Sequence, residues 1–234
     1  MPSARQIEID EPWIGVQADL HSLLREIHGL NISNLNSLHR RGKVLIAEGE
    51  PARGVYILRS GSANVSIASS EGRIVILRTA RAGAVLGLNS VLRNSFYDAT
   101  VKTFEPCRTD FISRAELREL MAKSPAATHA ISEILSRELT ELTDRTRLLL
   151  LSQTASVRLA TLLLYWCKES RNGSSQPVRI DKVFTQEEIA QMICSSRETV
   201  TRLLATLSRR HVIHITADSI LIRDQAALEA LARG

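Results

Sequence analysis

Two arginines and a glutamate, Arg197, Glu198 and Arg202, lie close together in a stretch of the chain whose spacing suits the reading of DNA bases. Arginine can donate two hydrogen bonds to O6 and N7 of guanine, and glutamate can accept one from the N4 amine of cytosine. The three residues therefore indicate a half-site that contains G·C pairs. The alternative is a surface helix whose charges are only solvated or form weak pairs.

Capping residues predict two helices separated by a short turn in this stretch. Thr185 and Glu188 form a T-x-x-E capping box, which predicts that a first helix begins there. Small residues interrupt the pattern at 194–196, and Ser195 with Glu198 offers a second capping box. A second helix is therefore expected to begin near Arg197.

The apolar residues of both helices fall at helical spacing, so each helix should bury one face. On the second helix this leaves its N-terminal polar residues exposed, which is where a recognition helix turns toward base edges. The apolar positions are Ile189, Met192, Ile193, Val200, Leu203, Leu204 and Leu207. The predicted DNA-contacting residues are Thr185, Ser195, Ser196, Arg197, Glu198, Thr201 and Arg202.

A predicted β-hairpin follows the second helix. Two β-rich runs, 212–215 and 220–222, flank a polar turn at 216–219. The run IAQMICSSRETVTRLL with this hairpin resembles the winged helix-turn-helix of the Crp/Fnr superfamily of bacterial transcription regulators. In that family the residues at the positions of Arg197, Glu198 and Arg202 read bases. The resemblance thus implies double-stranded DNA with a palindromic, TGTGA-like site as the target, and RNA polymerase as a further partner.

Short β runs punctuated by glycine extend from Lys43 to about Phe111. Their spacing favours an antiparallel jelly-roll-type barrel over a parallel sheet. The run that begins E-G-E at Glu48 and continues V-Y-I-L-R-S-G-S-A-N-V from Val55 is similar to the cyclic-nucleotide-binding sensor domain of the same family. The likeness covers nearly the whole chain from about residue 20.

The region that matches the family's phosphate-binding segment departs from the pattern of members that bind cyclic AMP. Those members carry a glutamate and, about ten residues later, an arginine, which neutralises the phosphate. Here Leu88 cannot accept a hydrogen bond, Tyr97 brings no charge, and Asp98 would repel a phosphate. Arg93 could substitute or be only solvated. We therefore expect a different, unidentified small-molecule effector, or none. The candidate pocket residues are Gly87, Leu88, Asn89, Tyr97, Asp98, Leu142 and Thr143.

A long helix is predicted between the barrel and the DNA-binding region. Ser113 and Glu116 cap a preceding helix that ends at Ser124, and Pro125 suits the first turn of a helix that runs to about Leu151. Its apolar stripe alternates steps of four and three residues, as in a coiled coil, so we expect a homodimer. Part of the stripe could pack on the barrel instead, and Ile131 and Ile134 are expected to face it. The stripe comprises Leu135, Leu139, Leu142, Thr146 and Leu149.

Several other parts of the chain are less strongly patterned. From Trp13 to about Leu38 the sequence favours short helices, with His21, His28 and His39 in or beside them as exposed or capping residues rather than haem ligands. A pattern break at 151–155 is a candidate hinge, 171–177 is a predicted loop, and 178–180 and 183–184 are predicted short strands. Asp224 caps a predicted last helix, packed against the hairpin or exposed.

The predicted fold class is α+β: an N-terminal antiparallel jelly-roll β-barrel sensor domain, a long dimerisation helix and a C-terminal winged helix-turn-helix domain. The expected boundaries are 1–124, 125–153 and 154–234. The chain has 234 residues, 44% of them hydrophobic, and a formal charge of +5, which is compatible with DNA. No apolar run approaches the roughly 20 residues of a membrane span, and no signal-peptide pattern is present, so a cytoplasmic protein without membrane contact is expected.

Other chemistries find little support in the sequence. Cys107, Cys167 and Cys194 are scattered, and none precedes residue 107, so neither a metal site nor an N-terminal iron–sulfur cluster is expected. No catalytic constellation or Gly-rich phosphate loop stands out, so we expect no enzyme and no cofactor. One competing class is a small-molecule-binding module that uses its helix-turn-helix for protein contacts. That class predicts no salt-sensitive DNA binding.

Overall fold

The computed structural model describes residues 34–151, 154–169, 178–181 and 184–233. Over this part of the chain, residues 34–64 and 79–139 form one compact unit, and residues 65–78 and 140–233 form the other. No described helix is both long enough and apolar enough to cross a membrane. The predicted domain boundaries themselves stay predictions.

Eight strands build the predicted jelly-roll-type barrel from two four-stranded sheets, ordered β1-β8-β3-β6 and β2-β7-β4-β5. The pairs β1–β8, β3–β8, β3–β6 and β2–β7 are antiparallel. The antiparallel barrel predicted from the sequence is thereby confirmed. The strands are β1 (Asn34–His39), β2 (Val44–Ile46), β3 (Gly54–Ser60), β4 (Ser62–Ala68), β5 (Ile74–Arg81), β6 (Val85–Leu86), β7 (Thr100–Thr103) and β8 (Cys107–Ser113).

The central strand β3 shows why these runs form a barrel. Val55, Ile57 and Leu58 are completely buried, and β-branched residues pack well on a pleated, buried surface. Gly54 begins the strand where a Cβ would collide with the carbonyl oxygen of Ile112 on β8, so glycine permits the close strand pairing. Strand β3 thus contributes an aliphatic part of the barrel core.

Two parts of the barrel differ from the sequence-based expectation. Residues 34–38 form an edge strand and not the predicted helix, because β1 pairs with β8, which lies about 70 residues away in the chain. The predicted β run at 85–88 is also shorter, since β6 ends at Leu86 and a short helix, α1 (Leu88–Leu92), follows. At residues 34–38 long-range strand pairing thus overrides a weak local preference.

Two helices follow the barrel in the chain. Helix α2 (Arg114–Lys123) has the predicted Ser113–Glu116 capping box, and α3 (Pro125–Leu151) begins at the predicted proline. Ile131 is buried, as expected for a barrel-facing position, and Ile134 is half-buried. These capping predictions are confirmed because the signals are local and need no tertiary partner.

The second unit contains the predicted winged helix-turn-helix, which is confirmed. Its sheet has the order β10-β11-β9 with antiparallel pairs. Trp166 stacks on Phe184 with ring centroids 5.0 Å apart within its core. The elements are α4 (Ala155–Glu169), β9 (Val178–Asp181), α5 (Gln186–Met192), α6 (Arg197–Arg209), β10 (Ile213–Ile215), β11 (Ser219–Ile222) and α7 (Gln225–Arg233).

The last helix belongs to the core of the second unit. Asp224 caps α7 as expected, with its carboxylate accepting from the Ala227 N–H at 2.9 Å. Helix α7 packs chiefly on α4, and Leu228 is fully buried in the core of the second unit. The expectations for His21, His28, the candidate hinge centre at 152–153, the loop at 171–177 and the strand residue 183 lie outside the described residues.

Candidate nucleic-acid interface

The first helix of the motif begins with the predicted reciprocal cap. The backbone N–H of Thr185 donates to Glu188 Oε2 at 2.7 Å, and the Glu188 N–H donates to Thr185 Oγ1 at 3.2 Å. This arrangement satisfies two backbone donors that a helix start otherwise leaves unpaired. Ile189, Met192 and Ile193 are buried, so the first helix is fixed to the core along one face.

The turn between the two helices depends on a residue that the sequence analysis did not single out. Arg158 of α4 donates from Nε to the carbonyl oxygen of Ile193 at 2.7 Å, where α5 ends. Cys194 then adopts a left-handed conformation with φ of 49°, and the Ser195 N–H donates to Ala190 O at 3.0 Å. A lone arginine 35 residues earlier carries no local signal, so only the fold reveals this contact.

The cap of the second helix corrects the sequence prediction by one residue. Ser196, and not Ser195, is the N-cap, and its hydroxyl accepts from the Thr199 N–H at 3.2 Å. The predicted Ser195–Glu198 capping box does not form, because the backbone N–H of Ser195 still bonds to α5. The helix nevertheless begins at Arg197, as expected.

The outward face of α6 carries the predicted polar residues. Arg197, Glu198, Thr201 and Arg202 are all exposed. On the opposite face Val200, Leu204 and Leu207 are buried, and Leu203 is partly buried against the same core. Since the buried face fixes the rotation of the helix, the four exposed side chains point away from the core. Thr185 and Ser196 are exposed as well, whereas Ser195 is half-buried.

The Glu198 carboxylate is held ionised by its surroundings. Its pKa is lowered first by its own backbone N–H, then by the Ser196 hydroxyl and by the charge of Arg197. Asp and Glu near a helix N-terminus are favoured in the same way by the free N–H groups and the helix dipole. Glu198 therefore presents an acceptor to its surroundings, flanked by the guanidinium groups of Arg197 and Arg202.

The end of α6 leads directly into the hairpin. His211 takes a left-handed conformation with φ of 58°, and the His211 and Val212 N–H groups donate to Ser208 O and Leu207 O, each at 3.0 Å. This pair of bonds is a Schellman motif, which stops the helix and reverses the chain. In the turn of the hairpin, Thr216 Oγ1 accepts from the Ser219 N–H at 3.0 Å. The hairpin thus has a defined position beside the recognition helix.

The candidate effector residues of the barrel are largely occupied with one another. Tyr97 is buried and its hydroxyl donates to Gly54 O at 2.6 Å, while Leu88 is buried in the core. Gly87 has φ of 80°, and a Cβ there would lie 2.8 Å from the Tyr97 ring. Asp98 accepts from Asn89 Nδ2 at 2.8 Å and from Ser90 Oγ at 3.0 Å.

The remaining candidates belong to different compact units of the chain. Arg93 Nη1 lies 3.7 Å from Asp98 Oδ1, so a carboxylate of the loop already faces that guanidinium. Leu142 and Thr143 are exposed positions on α3, in the other compact unit. His39 bonds through Nε2 to Thr109 Oγ1 at 2.9 Å, and burial, then the charge of Lys43, lowers its pKa.

The predicted dimer stripe includes two conspicuously exposed leucines. Leu139 and Leu142 expose 66% and 44% of their surface in the single chain. Leu135 is half-buried and Thr146 is exposed, with its hydroxyl donating to Leu142 O at 2.7 Å. The side chain of Leu149 lies outside the described residues. Contiguous exposed apolar surface is a common mark of a protein interaction site.

Comparison with protein families and known proteins agrees with this architecture. Residues 38–124 match the cyclic nucleotide-binding domain family, and residues 157–231 match the Crp-like helix-turn-helix domain family. The fold is shared with the structure of FixK2 from Bradyrhizobium japonicum, with a TM-score of 0.72 at 21% identity over 86% of this chain and 98% of that one.

Two known transcription regulators are similar to this chain in sequence. The chain is 30% identical to the cAMP-activated global transcriptional regulator CRP of Haemophilus influenzae over 76% of its length and 79% of the relative. It is 28% identical to a CRP-like cAMP-activated global transcriptional regulator of Mycobacterium tuberculosis over 82% of its length and 86% of the relative. With both domains matched and the recognition helix exposed, the chain belongs to the Crp/Fnr family of DNA-binding bacterial transcription regulators.

Proposed function

We propose that this regulator acts as a homodimer that reads a palindromic, TGTGA-like DNA site through α6. The observation that carries the proposal is the joint exposure of Arg197, Glu198 and Arg202 on the N-terminal half of a helix whose other face is buried. That half of a recognition helix is the part that enters the major groove. Each of the three side chains also has the hydrogen-bonding groups that a G·C pair requires.

The three residues have distinct roles in this proposal. Arg197 and Arg202 donate to O6 and N7 of guanines, and Glu198 accepts from the N4 amine of a cytosine. The hydroxyl-bearing residues at the two helix starts, Thr185 and Ser196, with Ser195 in the turn, lie near the DNA backbone and set the register of the helix in the groove. Backbone contacts of this kind orient the protein without selecting a sequence.

The homodimer rests on the exposed stripe of α3. Leu139 and Leu142 would leave a large apolar area in water in a single chain, and their four-three spacing with Leu135, Thr146 and Leu149 suits a second copy of the helix. A two-fold pair would hold two copies of α6 about 34 Å apart, which is one turn of the duplex. A palindromic site follows from that symmetry.

An effector other than cyclic AMP, acting through the barrel, is the remaining part of the proposal. The Leu88 side chain is buried, the Tyr97 hydroxyl is bonded to the backbone, and the Asp98 carboxylate occupies the loop where a phosphate would need a cation. Although the two relatives are cAMP-activated by name, this chain lacks the charges that bind a cyclic phosphate. RNA polymerase is the expected partner in transcription, and the cytoplasm is the expected compartment.

Selection of bound sequences from a random pool of DNA duplexes tests the proposal. We expect enrichment of two inverted half-sites containing G·C pairs, with centres about one helical turn apart. Binding to the selected duplex should weaken steeply as the salt concentration rises, because phosphate neutralisation releases counterions. If the protein ignores every duplex at low ionic strength, the helix-turn-helix serves protein contacts and the proposal fails.

A further inference from the structure

A surface groove of about 440 Å³ lies in the first unit, on a part of the barrel that the DNA-binding proposal does not use. Three segments line it: the loop before β3, the loop before β7 and the start of α2. The residues that matter here are Pro51, Arg53, Ser95, Phe96 and Arg114. We call it the Phe96 groove.

Backbone hydrogen bonds hold the three segments of the Phe96 groove together. The Ala52 N–H donates to Ser95 O at 3.0 Å, and Pro51 pairs with Phe96 in an antiparallel bridge. The Arg114 N–H donates to Arg53 O at 2.8 Å, which joins the helix start to the loop before β3. The groove is therefore formed before any ligand arrives, which lowers the entropic cost of binding.

The groove carries a positive charge without a matching negative one. Arg53 and Arg114 are the only ionisable residues in its lining. Within the described ranges no carboxylate lies at ion-pair distance from either guanidinium. The nearby Glu116 carboxylate is already engaged, since it accepts from the Ser113 N–H at 2.7 Å. Two arginines beside one cavity favour carboxylates in whatever occupies it.

The same groove presents an apolar surface to solvent. Phe96 exposes 60% of its surface, and Pro51 beside it is also exposed. An exposed aromatic ring on a rigid loop is a common anchor point for protein partners, since it buries a large area at little entropic cost. Arginine and aromatic residues are also the types enriched in protein interfaces.

We infer that the Phe96 groove docks a short acidic segment of a second protein, with an aromatic or leucine side chain packed on Phe96 and carboxylates paired with Arg53 and Arg114. The volume suits a few side chains of a peptide and not a full domain interface, so the contact is small and transient. Recognition of acidic motifs by arginine clusters is a recurring mode of peptide binding. This inference concerns a protein partner and is independent of the DNA-reading role of α6.

A peptide selection on the full chain tests this inference. A phage-displayed library of random peptides of about 12 residues is panned on the immobilised wild-type protein and depleted on the Arg53→Glu/Arg114→Glu variant. We expect enriched sequences with at least two carboxylates beside an aromatic residue or leucine. The best peptide, labelled with fluorescein, is then measured by anisotropy against the wild-type protein and each variant.

The variants separate specific docking from general attraction to a basic protein. We expect the affinity for the peptide to fall about tenfold for Arg53→Glu/Arg114→Glu, which removes the charges. It should fall about fivefold for Phe96→Ala, which removes the aromatic anchor. Arg73→Glu reverses the charge of a single arginine in an exposed turn outside the groove and should alter binding by less than about twofold. Unchanged affinity for the selected DNA duplex shows that each variant is folded.

Three results would overturn the inference. The selection could enrich no sequence, the enriched peptides could bind the double variant as tightly as the wild type, or Arg73→Glu could weaken binding as much as the groove variants. A fourth contrary result is that a single-stranded oligonucleotide displaces the labelled peptide at a lower concentration than the unlabelled peptide does. The groove would then be a nucleic-acid site.

Discussion

The hydroxyl of Thr201 lies 2.6 Å from Oε1 of Gln186, so a side chain on the outward face of α6 is bonded to the first turn of α5. The same hydroxyl lies 2.9 Å from Arg197 O. Because a hydroxyl has one proton, these two acceptors leave Thr201 no proton for a base. Thr201 thus fixes the two helices of the motif relative to each other and presents its remaining surface outward.

Removal of this link by Gln186→Ala should loosen the motif. We expect the free energy of unfolding to fall by about 0.5–1 kcal/mol, the usual net value of one hydrogen bond, measured by urea denaturation. Specific DNA binding should weaken by a few fold, since Thr201 and its neighbours lose one support. Glu187→Ala, at the next and exposed position of α5, is the matched control and should change neither quantity beyond a fraction of that amount. Equal effects of both substitutions would contradict the role of the link.

Arg202→Ala tests base reading directly. We expect a loss of about 1–3 kcal/mol on the selected duplex and relaxed preference at one G·C pair. Competition assays with duplexes mutated at each position of the half-site measure both effects. Arg209→Ala, at the exposed C-terminal end of the same helix, should leave the sequence preference intact. Equal weakening on random DNA by Arg202→Ala would show a phosphate contact instead.

Ser196→Ala and Ser195→Ala distinguish the true cap from the neighbouring serine. Ser196→Ala should destabilise the protein by about 1 kcal/mol, the typical value of an N-cap. It should also raise the pKa of Glu198 toward its ordinary value, because the Ser196 hydroxyl helps to stabilise the carboxylate. Ser195→Ala should do neither. An NMR titration of the Glu198 side chain measures the pKa in each protein.

The lowered pKa of Glu198 also predicts a pH dependence. A carboxylate with a depressed pKa stays ionised above its ordinary value and loses its charge only as the pH falls through the lower value in the folded protein. The preference for the base pair that Glu198 is proposed to read should therefore stay constant from about pH 8 to pH 5. A decline of that preference within this range, with the fold intact, would show that the carboxylate is not held ionised.

The apolar stripe of α3 predicts the effect of a charge at the proposed dimer interface. Leu139→Lys should produce monomers by light scattering at micromolar concentration, because a lysine would replace a leucine at the seam. Specific DNA affinity should fall with it, as only the dimer holds both half-sites. Thr140→Lys adds the same side chain at the next, exposed position off the stripe and should leave a dimer. A dimer that survives Leu139→Lys would place the interface elsewhere.

Cyclic AMP should leave the melting temperature of this protein unchanged. A ligand present at about one hundred times its Kd would add roughly 2.7 kcal/mol of stability, which a thermal shift assay detects easily. The Haemophilus influenzae relative, cAMP-activated by name, is the positive control under the same conditions. A clear rise for this chain would mean that Leu88 and Tyr97 do not prevent binding.

Local signals in the sequence were enough to place most elements of the DNA-binding unit. Three of these signals act between neighbours in the chain and can therefore be recognised in the sequence alone. They are the Thr185–Glu188 capping box, the helix start at Pro125 and the apolar spacing of α6. The glycine-punctuated runs likewise predicted the six strands from β2 to β7 as an antiparallel set. Family likeness then joined these elements into one architecture.

Tertiary structure alone decided the features that depend on distant partners. Strand β1 is polar in sequence and forms through its pairing with β8. On β8 the carboxylate of Asp110 is buried, with the Asn36 N–H 2.7 Å from Oδ1 and Arg59 Nε 3.0 Å from Oδ2. Arg158 reaches Ile193, and Gln186 reaches Thr201, for the same reason. Such contacts form between segments that folding brings together, so no pattern of neighbouring residues encodes them, whereas caps and helical stripes are properties of the local chain.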